Sequence, residues 1–73
     1  MSILRTEIKQ LRWDRKVQQT ELAKAVGVRR ETIVNLESGK YNPSLRLAMD
    51  IAKFFGKPVE EVFRFEEEED EDE

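Results

Sequence analysis

Apolar side chains recur three or four residues apart along most of this chain, which is the spacing of helices that bury one face. Ile8 and Leu11 show this spacing early in the chain, and Leu45, Ala48 and Ala52 show it later. The few breakers, three glycines and two prolines, separate these segments. The pattern predicts five helices, near residues 7–15, 19–26, 30–38, 45–55 and 58–63.

Two short segments near the ends do not fit a helix. Residues 3–5 and 63–65 are brief and alternate in polarity, as β-strands do. We expect them to pair as a small antiparallel ribbon that joins the two ends of the domain. Thr6 and Ser44 are suited to cap the first and fourth helices. The expected fold class is therefore all-α, with five helices and a small terminal β-ribbon.

The segment 19–38 carries two helices with a constrained junction. Ala23 is small where a second helix must cross closely, and Gly27 suits a tight turn with positive φ. Five apolar positions fix the angle between the helices: Leu22, Val26, Val28, Ile33 and Leu36. This pattern predicts a helix-turn-helix, and a plain helical hairpin with the same core is the alternative.

Charge is distributed unevenly along the 73 residues. The chain has 13 basic and 16 acidic side chains, and the last eight residues are all acidic. Residues 1–65 therefore carry 13 basic and 8 acidic side chains, a net charge of +5. We expect one basic domain over 1–65, followed by a disordered, solubilising acidic tail over 66–73.

The amino-acid composition excludes several kinds of catalytic and metal-binding site. The chain has no cysteine and no histidine, so it lacks a thiolate nucleophile, the usual general base and the commonest zinc ligands. We expect no metal, no cofactor, no small-molecule ligand and no enzymatic activity. No run of apolar residues is long enough to span a membrane, and the first residues lack the apolar core of a secretory signal. The expected location is cytoplasmic.

Three stretches of sequence carry a family resemblance: residues 19–23, residues 37–44 and residues 51–56. With them the chain closely resembles the compact phage repressor/Cro-type (XRE-type) helix-turn-helix regulators over about residues 3–65. The resemblance implies a five-helix lambda-repressor-like domain whose third helix enters the DNA major groove. It also implies homodimers that bind two-fold operators and repress transcription.

The third helix presents chemically suitable side chains for reading bases. At about 100° per residue, Ile33, Leu36 and Glu37 point inward, whereas Glu31, Val34, Asn35 and Ser38 point outward. Asn pairs with adenine, Glu accepts from cytosine, Arg donates to guanine and an apolar group contacts the thymine methyl. The candidate base contacts are Arg30, Glu31, Val34 and Asn35. The alternative is an ordinary solvated polar face.

Several polar residues near this helix are suited to bind phosphate. Gln19 lies at a helix N-terminus, where free N–H groups and the helix dipole favour an anion, and the matching Gln of the relatives contacts phosphate. The candidate phosphate contacts are Arg12, Gln19, Ser38, Lys40, Tyr41 and Asn42. For the segment 38–42, simple turn formation is the alternative, and both roles are compatible.

Arg12 and Glu37 form a candidate structural ion pair. Glu37 points inward on the helical wheel, and a buried carboxylate requires a partner. The family resemblance supplies Arg12 of the first helix as that partner. A surface ion pair of small energetic effect is the alternative.

A second apolar stripe raises the question of a dimer. Leu47 and Phe54 fall almost opposite Leu45 on the fourth helix. They pack either on the last helix and strand of the same chain or on a second subunit. The candidate dimer interface consists of Leu47, Phe54, Val62, Phe63 and Phe65. Trp13 is expected to be at least partly exposed, with no assigned role.

These observations favour a sequence-specific double-stranded DNA-binding transcriptional regulator, expected to be a repressor that reads a two-fold operator through the helix 30–38. The alternative is an antitoxin-like or protein-recruiting module that holds a protein partner as well as DNA. Glu31 and Arg29 depart from the Gln and the Ser or Thr that relatives often carry. The operator sequence therefore does not transfer from any relative.

Overall fold

Five helices and two strands follow one another along residues 2–67, the part of the chain that the computed structural model describes. In chain order they are β1 (Ser2–Thr6), α1 (Ile8–Arg15), α2 (Gln19–Val26), α3 (Arg30–Glu37), α4 (Leu45–Phe55), α5 (Val59–Val62) and β2 (Phe63–Glu67). The five helices predicted from the sequence are confirmed, and each end lies within one residue of its predicted position. Because two strands accompany the helices, the description all-α is approximate.

The terminal ribbon is also confirmed. β1 and β2 pair antiparallel, with Arg5 directly opposite Arg64. Like charges in such positions repel, but each arginine has a carboxylate partner. Arg5 Nε donates to Glu66 Oε1 at 3.0 Å, and Arg64 Nη1 donates to Glu7 Oε2 at 2.9 Å. These half-exposed ion pairs offset the repulsion, while the backbone pairing of the two strands holds the ends of the domain together.

β2 continues beyond the predicted end of the domain. It runs to Glu67, so the first two residues of the predicted tail 66–73 belong to a strand. Residues 68–73 lie outside the described residues. The disorder expected for the tail therefore stays a prediction.

One apolar core lies between the helices and the ribbon. Its fully buried side chains come from all five helices of the described region: Ile8, Leu22, Ile33, Leu36, Ile51, Phe55 and Val62. α2 packs against both α3 and α4, so α4 stabilises the helix-turn-helix through its contacts with α2. The position of α3 is thus fixed by the same core that stabilises the domain.

The buried face of α4 differs from the one expected. Ile51 and Phe55 are buried, whereas Leu45 and Met49 are 73% and 53% exposed. The centre of the buried arc is rotated by about 65° from the centre of the predicted stripe. The prediction placed the apolar Leu45 on the buried face, but the other elements cover only the side of α4 that carries Ile51.

Three of the residues predicted at a dimer interface belong to the core. Leu47, Val62 and Phe63 are only 7%, 0% and 8% exposed in a single chain. The backbone N–H of Glu7 donates to the Val62 carbonyl at 2.9 Å and holds the α5–β2 junction against the start of α1. Burial inside a single chain contradicts an interface role for Leu47 and Val62, whereas Phe63 also lines an apolar surface groove and its interface role stays a prediction.

The helix caps agree with the sequence at α4 and differ at α1. Ser44 Oγ accepts a hydrogen bond from the Leu47 N–H at 3.1 Å, as predicted for an N-cap. Thr6 does not cap α1, because it is paired in β1 and Glu7 occupies the N-cap position. Thr6, which the sequence pattern assigned to the cap of α1, is therefore part of the ribbon.

The turn after α3 requires glycine for two reasons. Gly39 has φ +79°, and a Cβ at this position would lie 3.2 Å from the Leu4 carbonyl oxygen of β1. Gly27, between α2 and α3, has nearly the same φ of +78° but no atom within 4 Å of a Cβ. Only the turn after α3 is therefore restricted both by its backbone conformation and by its neighbour.

We predict that Gly39→Ala lowers the free energy of unfolding more than Gly27→Ala does. Both variants place an L-residue at positive φ, at a cost of about 1–2 kcal/mol. Gly39→Ala adds an overpacking cost of about 1 kcal/mol against β1. Urea unfolding of the two variants at equal protein concentration measures the difference, and equal losses would contradict the close approach to Leu4.

Candidate nucleic-acid interface

The helix-turn-helix is held by its buried apolar side chains and a tight turn. Leu22 and Ile33 are fully buried between α2 and α3. The N–H of Val28 donates to the Ala23 carbonyl at 2.9 Å and closes the turn at Gly27. These contacts fix the angle between the two helices and leave the opposite side of α3 uncovered.

The outer face of α3 carries the residues that the sequence assigned to it. Arg30, Glu31 and Asn35 are exposed and Val34 is half-buried, whereas Leu36 is fully buried. A cation, a carboxylate, an amide and a small apolar group therefore lie on one helix. These are the four kinds of group that discriminate base pairs in the major groove.

Arg12 and Glu37 meet as a buried ion pair. Arg12 Nε donates to Glu37 Oε2 at 2.6 Å, and Nη2 donates to Oε1 at 3.1 Å. The two side chains are only 8% and 7% exposed. Arg12 Nη1 donates to the Val17 carbonyl at 3.0 Å, which ties the α1–α2 loop to the same pair. Two-point contact and burial make this a structural pair, which the pattern of the sequence alone did not distinguish from a surface pair.

Gln19 joins this pair at the start of α2. Its Nε2 donates to Glu37 Oε1 at 3.0 Å. A side-chain amide has two N–H donors, so the second one is available to a ligand. The pair with Glu37 orients the amide of Gln19, which lies half-buried at the helix N-terminus.

The loop after α3 exposes three of the predicted phosphate contacts. Lys40, Tyr41 and Asn42 are all exposed, and the N–H of Lys40 donates to the Asn35 carbonyl at 2.9 Å. Ser38 is exposed too, but its hydroxyl donates to the Asn35 carbonyl at 3.1 Å. Ser38 must therefore give up this bond before it can donate to a phosphate.

Lys9 is a residue that the sequence analysis missed. A hollow of about 250 Å³ beside α3 is lined by Lys9, Gln19, Val34, Glu37 and Ser38. Lys9 precedes Arg12 by three residues on α1, so the two share a helix face. This spacing was the signal in the sequence that could have identified Lys9. Because Arg12 pairs with Glu37 of α3, a lysine one helical turn before Arg12 lies near α3 as well.

An apolar groove lies on a separate part of the surface. Its volume is about 410 Å³, and its lining includes Pro43, Leu45, Val59 and Phe65. Phe65, predicted at a dimer interface, is 61% exposed here, and Phe54, predicted there as well, is 37% exposed. The groove was missed because Leu45 was expected in the core.

The described residues contain no group of three or more acidic side chains placed to hold a metal ion. Within the same part of the chain, no helix has the length and apolar character needed to cross a membrane.

Comparisons with known proteins agree with this geometry. The family model HTH_3, described as helix-turn-helix, matches residues 8–62, which run from α1 to α5. An HTH-type transcriptional regulator of Archaeoglobus fulgidus, itself described as uncharacterized, is 59% identical over 66 residues, covering 90% of this chain and 93% of that protein.

A phage protein and a solved structure are similar as well. The CTXphi transcriptional repressor RstR of Vibrio cholerae is 35% identical over 57 residues, which cover 78% of this chain and 51% of the repressor. The crystal structure of the transcriptional regulator VanUg matches with a TM-score of 0.75 at 24% identity, over 92% of this chain and 89% of that one. At this level of identity, the similarity to VanUg shows a shared fold only.

We predict that Arg12→Ala lowers the free energy of unfolding by about 3–5 kcal/mol, because it leaves the Glu37 carboxylate buried without its cation. Arg46→Ala is the matched control, since Arg46 pairs with Asp50 at 3.3 Å but its side chain is 88% exposed. That control costs less than about 1 kcal/mol. Thermal and urea unfolding check both variants, and an unchanged melting temperature for Arg12→Ala would contradict the structural role of the pair.

Proposed function

The chain belongs to the HTH_3 family of XRE-type helix-turn-helix proteins, and from that premise we propose that it represses transcription by binding a two-fold operator as a homodimer. At the coarser level, it is a transcriptional regulator with a helix-turn-helix DNA-binding domain. The outer face of α3 supports the proposal most strongly, because it carries four side chains of the kinds that discriminate base pairs, and a buried ion pair holds the end of the same helix.

In this proposal the bases are recognised by four residues of α3: Arg30, Glu31, Val34 and Asn35. Asn35 is exposed in the last turns of α3, and its amide suits the N6/N7 edge of adenine. Glu31 accepts from the cytosine amino group, and it also repels nearby phosphates. Such repulsion lowers affinity for all DNA and makes sequence preference depend more on correct base contacts.

Phosphate binding falls to the groups on both sides of α3. Gln19 offers its second amide N–H at the N-terminus of α2, and Lys40, Tyr41 and Asn42 offer donors from the following loop. Arg12 was expected at a phosphate as well, and its main role in this proposal is to position α3, because three of its five N–H donors already serve Glu37 and Val17 and two remain for a phosphate. Contacts at both ends of the reading face set the register of α3 in the groove.

A second copy of the chain is the proposed partner for the apolar groove. Leu45 and Phe65 are 73% and 61% exposed beside it, an unusual pair of large apolar side chains for a free surface. One recognition helix reads few base pairs, so two-fold dimers that bind half-sites about 34 Å apart supply the missing specificity. The same groove would serve a protein partner in the antitoxin-like alternative.

Repression itself is proposed from the similarity to RstR, which is named a transcriptional repressor. A small domain that covers an operator blocks access of the transcription machinery without a further activity. Curated relatives are named transcriptional regulators or a transcriptional repressor, and none of the proposed roles requires bond chemistry.

Selection of bound sites from a random duplex library, at about physiological salt where non-specific binding is weak, tests the proposal. We predict an enriched inverted repeat. On that repeat, Asn35→Ala relaxes preference at one position of each half-site, at a cost of about 1–3 kcal/mol, because one amide reads one base pair.

Lys40→Ala is the contrasting variant in this experiment. It weakens binding to all sequences equally and lowers the salt slope by about one unit, as expected for a lost phosphate contact. A single enriched half-site would contradict the dimer. Absence of any enrichment with folded protein would contradict sequence-specific binding and favour the protein-partner alternative, and equal losses on all sequences for Asn35→Ala would contradict base reading by that residue.

A further inference from the structure

Trp13 is the large aromatic residue that the proposed function leaves unused. It is the only tryptophan of the chain, and it is 61% exposed on α1. Lys9 Nζ lies 5.3 Å from the centre of its ring, within the range of a cation–π interaction. Lys9 covers only part of the indole, so a flat apolar surface remains open to solvent beside a positive charge.

The groove in which Trp13 lies is basic. Its volume is about 410 Å³, and its lining includes the cations Lys9 and Arg30, neither paired with a carboxylate in the described part of the chain, together with polar side chains of α2 such as Gln18. Arg12 lines it too, but Glu37 balances its charge. The lining contains no carboxylate. The nearest acidic residue along α1, Asp14, accepts from Gln10 Nε2 at 2.9 Å, about 100° further round the helix from Trp13. Charge complementarity thus favours an anionic occupant.

This basic groove adjoins the reading face of α3. Lys9 and Gln19 line both the Trp13 groove and the hollow that contains Val34 and Ser38. Arg30, the first residue of α3, lies in the Trp13 groove as well. A DNA backbone that passes Gln19 on its way along α3 therefore meets Lys9 and Trp13 next.

We propose that Trp13 and Lys9 form an additional DNA-backbone contact beside α3, in which the indole packs against a deoxyribose and Lys9 Nζ binds the adjoining phosphate. This inference rests on the proposed DNA-binding function and adds a contact to it. The ring holds Lys9 in place before DNA arrives, so the lysine loses less side-chain freedom on binding. The contact is independent of sequence, because it involves sugar and phosphate only.

The fluorescence of Trp13 reports on this contact directly, since no other tryptophan is present. The full chain is titrated with a mixed-sequence DNA duplex at about 50 mM salt, where backbone contacts bind strongly. Anisotropy of a labelled duplex follows binding, and acrylamide quenching follows the exposure of Trp13. We expect the quenching of Trp13 to fall when the duplex is bound.

Two substitutions separate the contributions of the ring and the charge. Trp13→Ala weakens binding about fivefold, which corresponds to about 40 Å² of lost apolar burial. Lys9→Ala lowers the salt slope by about one unit. Lys57→Ala is the matched control, because Lys57 follows α4, pairs with Glu61 at 4.0 Å and lines neither the Trp13 groove nor the hollow beside α3. It leaves the slope unchanged, and circular dichroism verifies that all variants are folded.

The outcomes distinguish this contact from the proposed function itself. If the duplex binds while the quenching of Trp13 stays constant and Lys9→Ala behaves like Lys57→Ala, the additional contact is wrong and DNA binding stands. If quenching falls with protein concentration alone, a second copy covers Trp13 and the contact is again wrong. If the wild-type chain binds no duplex at low salt, both proposals fail.

Discussion

The buried ion pair between Arg12 and Glu37 is the constraint on which the rest of this domain depends. Glu37 is the last residue of α3, where the helix dipole already disfavours a negative charge. Burial adds a further cost, so the carboxylate is stable only because Arg12 and Gln19 donate to both of its oxygens. Arg12 also binds the Val17 carbonyl. One charged group thereby fixes three segments: the end of α1, the start of α2 and the end of α3.

This arrangement determines what the outer face of α3 is able to do. Because Ile33, Leu36 and Glu37 anchor the inner face, the polar side chains on the opposite face are presented on a rigid helix. The second N–H of Gln19 is oriented by the same carboxylate. The structure therefore couples the stability of the core to the geometry of the candidate interface, because the buried pair of Arg12 and Glu37 holds the end of α3.

Much of this fold was predictable from the sequence. The helix-turn-helix was predicted from the spacing of Leu22, Gly27 and Ile33 together with the family resemblance, since the spacing alone also allowed a plain helical hairpin. The inward position of Glu37 followed from helical geometry. The antiparallel ribbon was predictable too, since its short segments did not fit a helix.

The surfaces outside α3 were less accessible to sequence reasoning. Apolar character alone does not tell which side of α4 the short elements cover, so Leu45 was expected inside and Leu47 outside. Val62 and Phe63 were assigned to an interface because the core between α5 and the ribbon depends on long-range packing. For Lys9 the spacing to Arg12 was a signal, whereas the position of Trp13 beside α2 and α3 depends on how α1 packs against the rest of the domain, which no local pattern records.

Amide chemical-shift mapping during titration with a DNA duplex tests the central claim most directly. The account predicts that the largest shifts lie in α3, at Gln19 and in the loop 38–42, and that the apolar groove at Leu45 and Phe65 is unaffected at fixed oligomeric state. Shifts concentrated at that groove, with α3 unchanged, would contradict the account.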